Sequence, residues 1–228
     1  MILSIETSSK LCSIAFGDEN RILLEYNLEI PMQHAVLLSA FVNQGLQFLG
    51  ESSVVPDKDR EEVDLVAVAI GPGSFTGLRI GLSYAQGFCF GREIDIIGIS
   101  NHQLLAARSP LGIETVYTVI DARREEVYLA RLEISTENYP QLIEHKLVRK
   151  AEMPSSLQPD AALILNDQVI LTDDILRRIK EDRRCTVQRA RCTASDLLKL
   201  SGQKQRLEGT DDLSSLEPMY IRPFAGVL

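Results

Sequence analysis

The residues with the clearest chemical potential form one unbroken motif, G-P-G-S-F-T-G-L-R-I-G, from Gly71 to Gly81. Glycines between a strand and a helix let backbone N–H groups turn toward a phosphate at the helix N-terminus. On that reading Gly71, Gly73, Ser74 and Thr76 are candidate nucleotide-binding residues. The same residues also suit a tight strand-to-helix turn, with Thr76 as the cap. Gly77, Gly81 and Ala85 then follow at i, i+4 and i+8 and let another helix approach closely. The motif lacks the lysine of G-x-x-x-x-G-K-S/T and the frame of G-x-G-x-x-G, so it is neither a P-loop nor a dinucleotide fingerprint.

Other chemistry-bearing residues are more scattered. His34 opens an apolar segment, but a metal pair on one helix face needs a second ligand four residues on, and that residue is Leu38. His102 and His145 have no ligand-type neighbours at metal spacing, so local sequence builds no metal site. No G-x-S-x-G elbow or other nucleophile signature occurs. Glu6-Thr7-Ser8-Ser9 ends the first apolar run, where small polar groups either meet a ligand near a cleft mouth or simply make the turn. Asp121-Ala122-Arg123-Arg124-Glu125 either offers charge to the same cleft or is a solvated hairpin tip.

Several elements must hold these residues. Residues 1–8, 11–16 and 22–28 read as an antiparallel meander. Residues 34–49 form a helical pattern with two apolar stripes: Leu38, Val42 and Leu49 toward a sheet, and Leu37, Phe41 and Phe48 toward another partner. Residues 50–62 read as a surface connection. Residues 63–70 form a near-continuous apolar run of the kind buried on both faces of a sheet. The glycine motif, a helix at 78–90 and a strand at 94–99 complete a β-loop-α-β unit, and hence a mixed sheet with helices on its faces. Beyond a short helix at 101–107, strands at 116–121 and 126–133 predict a hairpin, with a third strand at 142–148. Residues 149–160 read as loop. Further elements are expected at 162–165, at 173–181 and in a helix at 193–200 with Thr193 as N-cap. The recurring strand start points to two related α/β lobes, 1–100 and 101–228, with the last helix free to pack back on the first.

The composition narrows the function classes. With 228 residues and 45% hydrophobic content the chain can bury a sizeable core. Its 24 Lys+Arg against 32 Asp+Glu leave a net charge of −8, which disfavours autonomous, non-specific nucleic-acid binding, although a local basic patch reverses that at one site. No uninterrupted apolar stretch is long enough for a bilayer, and residues 1–9 lack a basic n-region, so a cytoplasmic protein without a membrane segment is expected. The four cysteines are scattered and read as buried free thiols.

Taken together, the motifs resemble one family. The matching segments are Ile5-Glu6-Thr7-Ser8, Gln33-His34, Gly71 to Gly81, and Gly98-Ile99-Ser100. Asp121-Ala122-Arg123 with Glu126-Val127-Tyr128, and Glu217 to Arg222, complete the set. They span nearly the whole chain in order and resemble the bacterial TsaB (YeaZ) family, paralogues of the tRNA-modification enzyme TsaD. The resemblance implies an actin/Hsp70-like (ASKHA, ribonuclease-H-like) two-lobe α/β fold, with mixed sheets and flanking helices. It also implies a non-catalytic scaffold or activator for the making of N6-threonylcarbamoyladenosine beside the anticodon of tRNAs that read codons beginning with A. TsaD-type chains carry an H-x-x-x-H metal pair on the first helix; Leu38 here replaces its second histidine.

The implied partners are TsaD in a heterodimer and, with it, the ATPase TsaE. The chain alone would form a homodimer, and tRNA would be reached indirectly through the complex. The implied binding face is His34, Leu37, Leu38 and Phe41 on the first helix, with Gly77, Leu78, Gly81, Leu82 and Ala85 on the second. No tightly bound cofactor or metal is implied, although the complex interface leaves room for ATP at Gly71, Gly73, Ser74 and Thr76. The alternatives are a metal-dependent endopeptidase and an independent ATPase of the same superfold.

Overall fold

The computed structural model describes residues 1–29, 33–51, 62–110, 112–134 and 139–222. In chain order the elements are β1 (Ile2–Glu6), β2 (Cys12–Gly17), β3 (Ile22–Leu28), α1 (His34–Glu51), β4 (Leu65–Gly71), α2 (Phe75–Phe90) and β5 (Asp95–Ser100). They continue as α3 (Asn101–Ala106), β6 (Thr115–Asp121), β7 (Glu126–Ile134), β8 (Pro140–Arg149), β9 (Ala162–Asn166), α4 (Asp173–Arg177), β10 (Thr186–Ala190) and α5 (Ala194–Glu208). Nearly all of the surface connection expected at 50–62 lies outside the described residues. None of the described helices is long and apolar enough to cross a membrane.

The chain divides into two units, one of residues 1–100 and 193–218, the other of 101–192 and 219–228. The second unit is interrupted by residues 193–218, whose helix groups with the first unit. In the first unit the sheet order is β3-β2-β1-β4-β5. β1, β2 and β3 pair antiparallel, while β4 and β5 run parallel to β1. Side chains alternate across a strand, so Leu3 and Ile5 point to one face and join Leu38, Val42, Leu82 and Ala85 in a core beneath α1 and α2. On the other face Ala15 packs with Ala194 and Leu198 of α5, which explains why α5 groups with this unit. Its N-terminus is closed by a capping box between Thr193 and Asp196, and the Ala194 N–H donates to the Ser13 hydroxyl at 2.8 Å.

The second unit repeats this topology strand for strand. Its order is β10-β9-β6-β7-β8, with β6, β7 and β8 antiparallel and β9 and β10 parallel to β6. The meander, the β-α-β unit and the hairpin all form as expected. Three differences have physical causes. β10 (TVQRA) was missed because an exposed edge strand needs no apolar face. α5 runs on to Glu208 because a helix with one solvated face accepts the polar stretch after Leu200. Residues 149–160 are not all loop, since a short 3-10 turn at Met153–Ser156 buries Met153, and Leu157 beside it is also buried.

Opposite that core, His102 of α3 is fully buried, with Nδ1 2.7 Å from the Thr118 hydroxyl. Its Nε2 is buried without a hydrogen-bond partner among the described residues. Burial, reinforced by the charge on His145, lowers its pKa from 6.5 to about 3, so the folded state holds it neutral. The unfolded chain takes up this proton first as pH falls, so the contribution of His102 is intact above pH 6.5 and is lost progressively toward pH 3. Denaturant melts from pH 7 to pH 4 should show wild-type stability falling faster than that of His102→Gln. The extra slope should approach about 1.4 kcal/mol per pH unit below the unfolded pKa.

Candidate partner-binding and nucleotide-binding site

The glycine motif begins where β4 ends, at Gly71, whose φ of 103° is readily adopted only by glycine. The chain then folds tightly over the end of β1. The Ser74 N–H donates to the Ser8 carbonyl at 2.6 Å. A Cβ on Gly73 would come within 2.6 Å of the same carbonyl, and one on Gly77 would overlap the Thr7 carbonyl. One on Gly81 would overlap the Thr7 hydroxyl, which itself donates to the Gly77 carbonyl at 2.8 Å. The spacing of these glycines thus brings α2 onto the backbone of Thr7 and Ser8, a strand end rather than another helix.

Capping also differs from the sequence expectation. Ser74, not Thr76, is the N-cap: its hydroxyl accepts from the Gly77 N–H at 3.3 Å, and α2 starts at Phe75 rather than near residue 78. Thr76 sits exposed in the first turn. Of the four candidate nucleotide residues, Gly71 and Gly73 therefore have roles in the turn and Ser74 in the cap.

Glu6, Thr7 and Ser8 are buried. One carboxylate oxygen of Glu6 accepts from the Ser8 N–H at 2.7 Å and contacts the Ser8 hydroxyl. The Ser9 hydroxyl accepts from the Leu11 N–H at 3.1 Å. These serines make the turn into β2. Beside it, burial and then the Glu6 charge push the Cys12 thiol up to about 11, which keeps it protonated and unreactive at neutral pH.

The docking face expected on the helices changes with this geometry. Gly77, Leu78, Gly81, Leu82 and Ala85 are buried against the sheet of their own unit, so they do not face outward. Leu38 likewise lies in the core with Val42 and Leu49. The neighbouring stripe of α1 is split, because Leu37 and Phe41 are half-buried against the core while Phe48 remains 50% exposed. Phe41 also packs on Tyr26, with ring centroids 5.0 Å apart. Val36 is 68% exposed. His34 places Nε2 3.3 Å from the Leu11 carbonyl. No cluster of three or more metal-type side chains is arranged to hold a metal among the described residues.

On α2, the outward and flanking apolar residues are Phe75, Ile80, Tyr84, Phe88 and Phe90. The Arg79 guanidinium lies 4.0 Å from the Phe75 ring centroid, and that of Arg92 lies 4.3 Å from the Phe88 ring. Sequence reasoning missed this set. The i, i+4 pair Tyr84 and Phe88 was the available signal, but only the glycine contacts with Thr7 fix the helix phase. α1 and α2 touch each other, so their outward residues lie on one side of the unit. A cavity of about 560 Å³ in this unit, lined by Met1, Asp64, Asp95 and Gln205 among others, lies at the N-terminal ends of β1, β4 and β5, opposite the strand ends that carry the glycine motif, and contains none of the expected site residues.

Comparison with known proteins adds an independent line. The family model described as "TsaD: tRNA N6-adenosine threonylcarbamoyltransferase" matches residues 33–172. A relative from Escherichia coli (strain K12), named tRNA threonylcarbamoyladenosine biosynthesis protein TsaB, is 34% identical over 131 residues, covering 57% of this chain and 53% of the relative. A protein of the same name from Bacillus subtilis (strain 168) is 31% identical over 127 residues, covering 56% and 52%. The chain thus spans about half the length of the curated relatives it matches. The solved structure of YeaZ from Pseudomonas aeruginosa superposes with a TM-score of 0.72 at 25% identity, over 96% of this chain and 98% of that one. The repeated sheet topology and this likeness make the fold actin/Hsp70-like.

Substitution separates the glycines that permit close approach from those in open space. Gly77→Ala should destabilise the chain by about 2 kcal/mol in a denaturant melt, because the added methyl has only backbone to displace. Gly87→Ala, where a Cβ meets nothing within 4 Å, should stabilise it by up to about 1 kcal/mol through helix propensity.

Proposed function

We propose, from the premise that this chain belongs to the TsaD family and to its TsaB/YeaZ branch, that it serves as a non-catalytic scaffold and activator in tRNA modification. Its partner is a TsaD-type enzyme, which transfers the threonylcarbamoyl group to the adenosine next to the anticodon of tRNAs reading A-starting codons. A TsaE-type ATPase joins through that partner. Any ATP in the assembly sits at the interface of this chain with TsaD, beside the Gly71–Ser74 turn. The chain alone forms a homodimer through the same surface.

One observation carries this reading: α1 exposes Val36 and Phe48 beside half-buried Leu37 and Phe41, and α2 sets half-buried Ile80, Tyr84 and Phe88 along one flank. Partly exposed apolar stripes on two touching helices fit a helix-on-helix interface. The net charge of −8 suits a subunit that leaves most RNA contact to its partner. The commitment of the glycine motif to packing, and of His34 to the Leu11 carbonyl, supports a positioning role over chemistry.

Analytical ultracentrifugation of the chain mixed with the TsaD-type protein of the same source tests the pairing. A one-to-one complex at micromolar concentration is expected. Val36→Asp with Phe48→Asp, both at exposed positions, should weaken it roughly 100-fold while leaving the thermal melt of the monomer unchanged. Unchanged affinity would remove this face from the interface.

A further inference from the structure

The β6–β7 hairpin holds a feature that packing does not require. Arg123, Arg124 and Glu125 are consecutive non-glycine residues with positive φ, at 64°, 53° and 57°. The Glu126 N–H donates to the Arg123 carbonyl at 3.2 Å, which places Arg124 and Glu125 at the two central positions of the turn. Positive φ at both central positions is the type I′ pattern, which strongly favours Asn-Gly. Side chains larger than asparagine hold it at a cost of about 1–2 kcal/mol per residue. All three side chains are exposed, so burial does not offset that cost.

The tip is nevertheless held from its base. The Lys150 N–H donates to the Glu125 carbonyl at 2.9 Å. Arg222, from the last described segment, donates to the Ala122 carbonyl at 3.0 Å and pairs with the Glu126 carboxylate at 2.5 Å. The carboxylates around the base already have cations: Asp121 has Lys150 at 3.8 Å, Glu126 has Arg222, and Glu152 has Arg149 at 3.0 Å. Arg123 and Arg124 have no ion pair or side-chain hydrogen bond among the described residues, and Glu125 is the remaining exposed acid of the turn. Two adjacent free guanidiniums thus project from a braced tip on a chain whose net charge is −8.

We propose that Arg123 and Arg124 form a contact for the phosphate backbone of RNA. The guanidinium is a planar donor fork that matches phosphate, and a braced turn presents two of them with little further ordering on binding. This inference rests on the proposed role in tRNA modification and deepens it: the chain touches the tRNA itself, at the β6–β7 tip, as well as positioning the partner that does the chemistry. The net charge of −8 makes the contact weak for the chain alone and dependent on the assembled complex.

The test is tRNA binding by the reconstituted complex of this chain with the TsaD-type protein, measured by fluorescence anisotropy across a salt series. Arg123→Gln with Arg124→Gln should weaken binding about tenfold and lower the salt slope by roughly 1 to 2, while Arg123→Lys with Arg124→Lys should keep the slope. Equal affinity and slope for wild type and the Gln variant, in complexes that sediment alike, would overturn the proposal. Loss of the protein complex itself in the Gln variant, with an unchanged monomer melt, would make the tip a protein contact and also overturn it. Failure of the wild-type chain to form a complex or to retain tRNA would instead overturn the functional reading, and the proposal with it.

Discussion

The structure of the first unit turns on the close approach of one helix to one strand end. α2 rests on the backbone of Thr7 and Ser8, and Gly73, Gly77 and Gly81 are the residues that permit it. A side chain at any of these positions would lift the helix away from the sheet. The contact also sets the rotation of α2. With Gly77 and Gly81 inward, Leu78, Leu82, Ala85 and Cys89 share the buried side, and the aromatic residues turn to the flanks and to solvent. The surface that α2 shares with α1 follows from this backbone contact.

The two units reach the same strand order by different means. In the first, α1 and α2 cover one face and α5 the other. In the second, the 3-10 turn at Met153–Ser156 and the short α4 supply Met153 and Ile175 to the core under β6, β7 and β9, while α3 brings His102 against Thr118 opposite. The first unit therefore carries a broad helical surface. The second carries an exposed hairpin, and the two features divide the proposed labour: protein contact on the helices, phosphate contact at the hairpin tip.

Much of the fold was legible because it rests on local signals. The apolar run 63–70, followed by glycines, fits a buried strand entering a helix, and Leu38, Val42 and Leu49 took the sheet-facing positions their spacing implied. The site was less legible. The same glycines suit a phosphate or a neighbouring backbone equally well, and their packing role depends on Thr7, 70 residues before Gly77 in the chain. That long-range contact also reverses the face assigned to Gly77, Leu78, Gly81, Leu82 and Ala85. The cap moved from Thr76 to Ser74 because either hydroxyl suits an N-terminus, and the position of Ser8 selects the earlier one. At the hairpin, Arg123 and Arg124 were visible as charge, but their left-handed backbone and the pairing of the acids around them required the fold.

Hydrogen–deuterium exchange of this chain, alone and with the TsaD-type protein, tests most directly the claim that the α2–β1 contact creates an outward docking surface. Peptides spanning residues 36–48 and 75–90 should exchange more slowly in the mixture, and those from β10 should be unchanged. Complex formation without protection of either helix, or with protection confined to the second unit, would contradict the account.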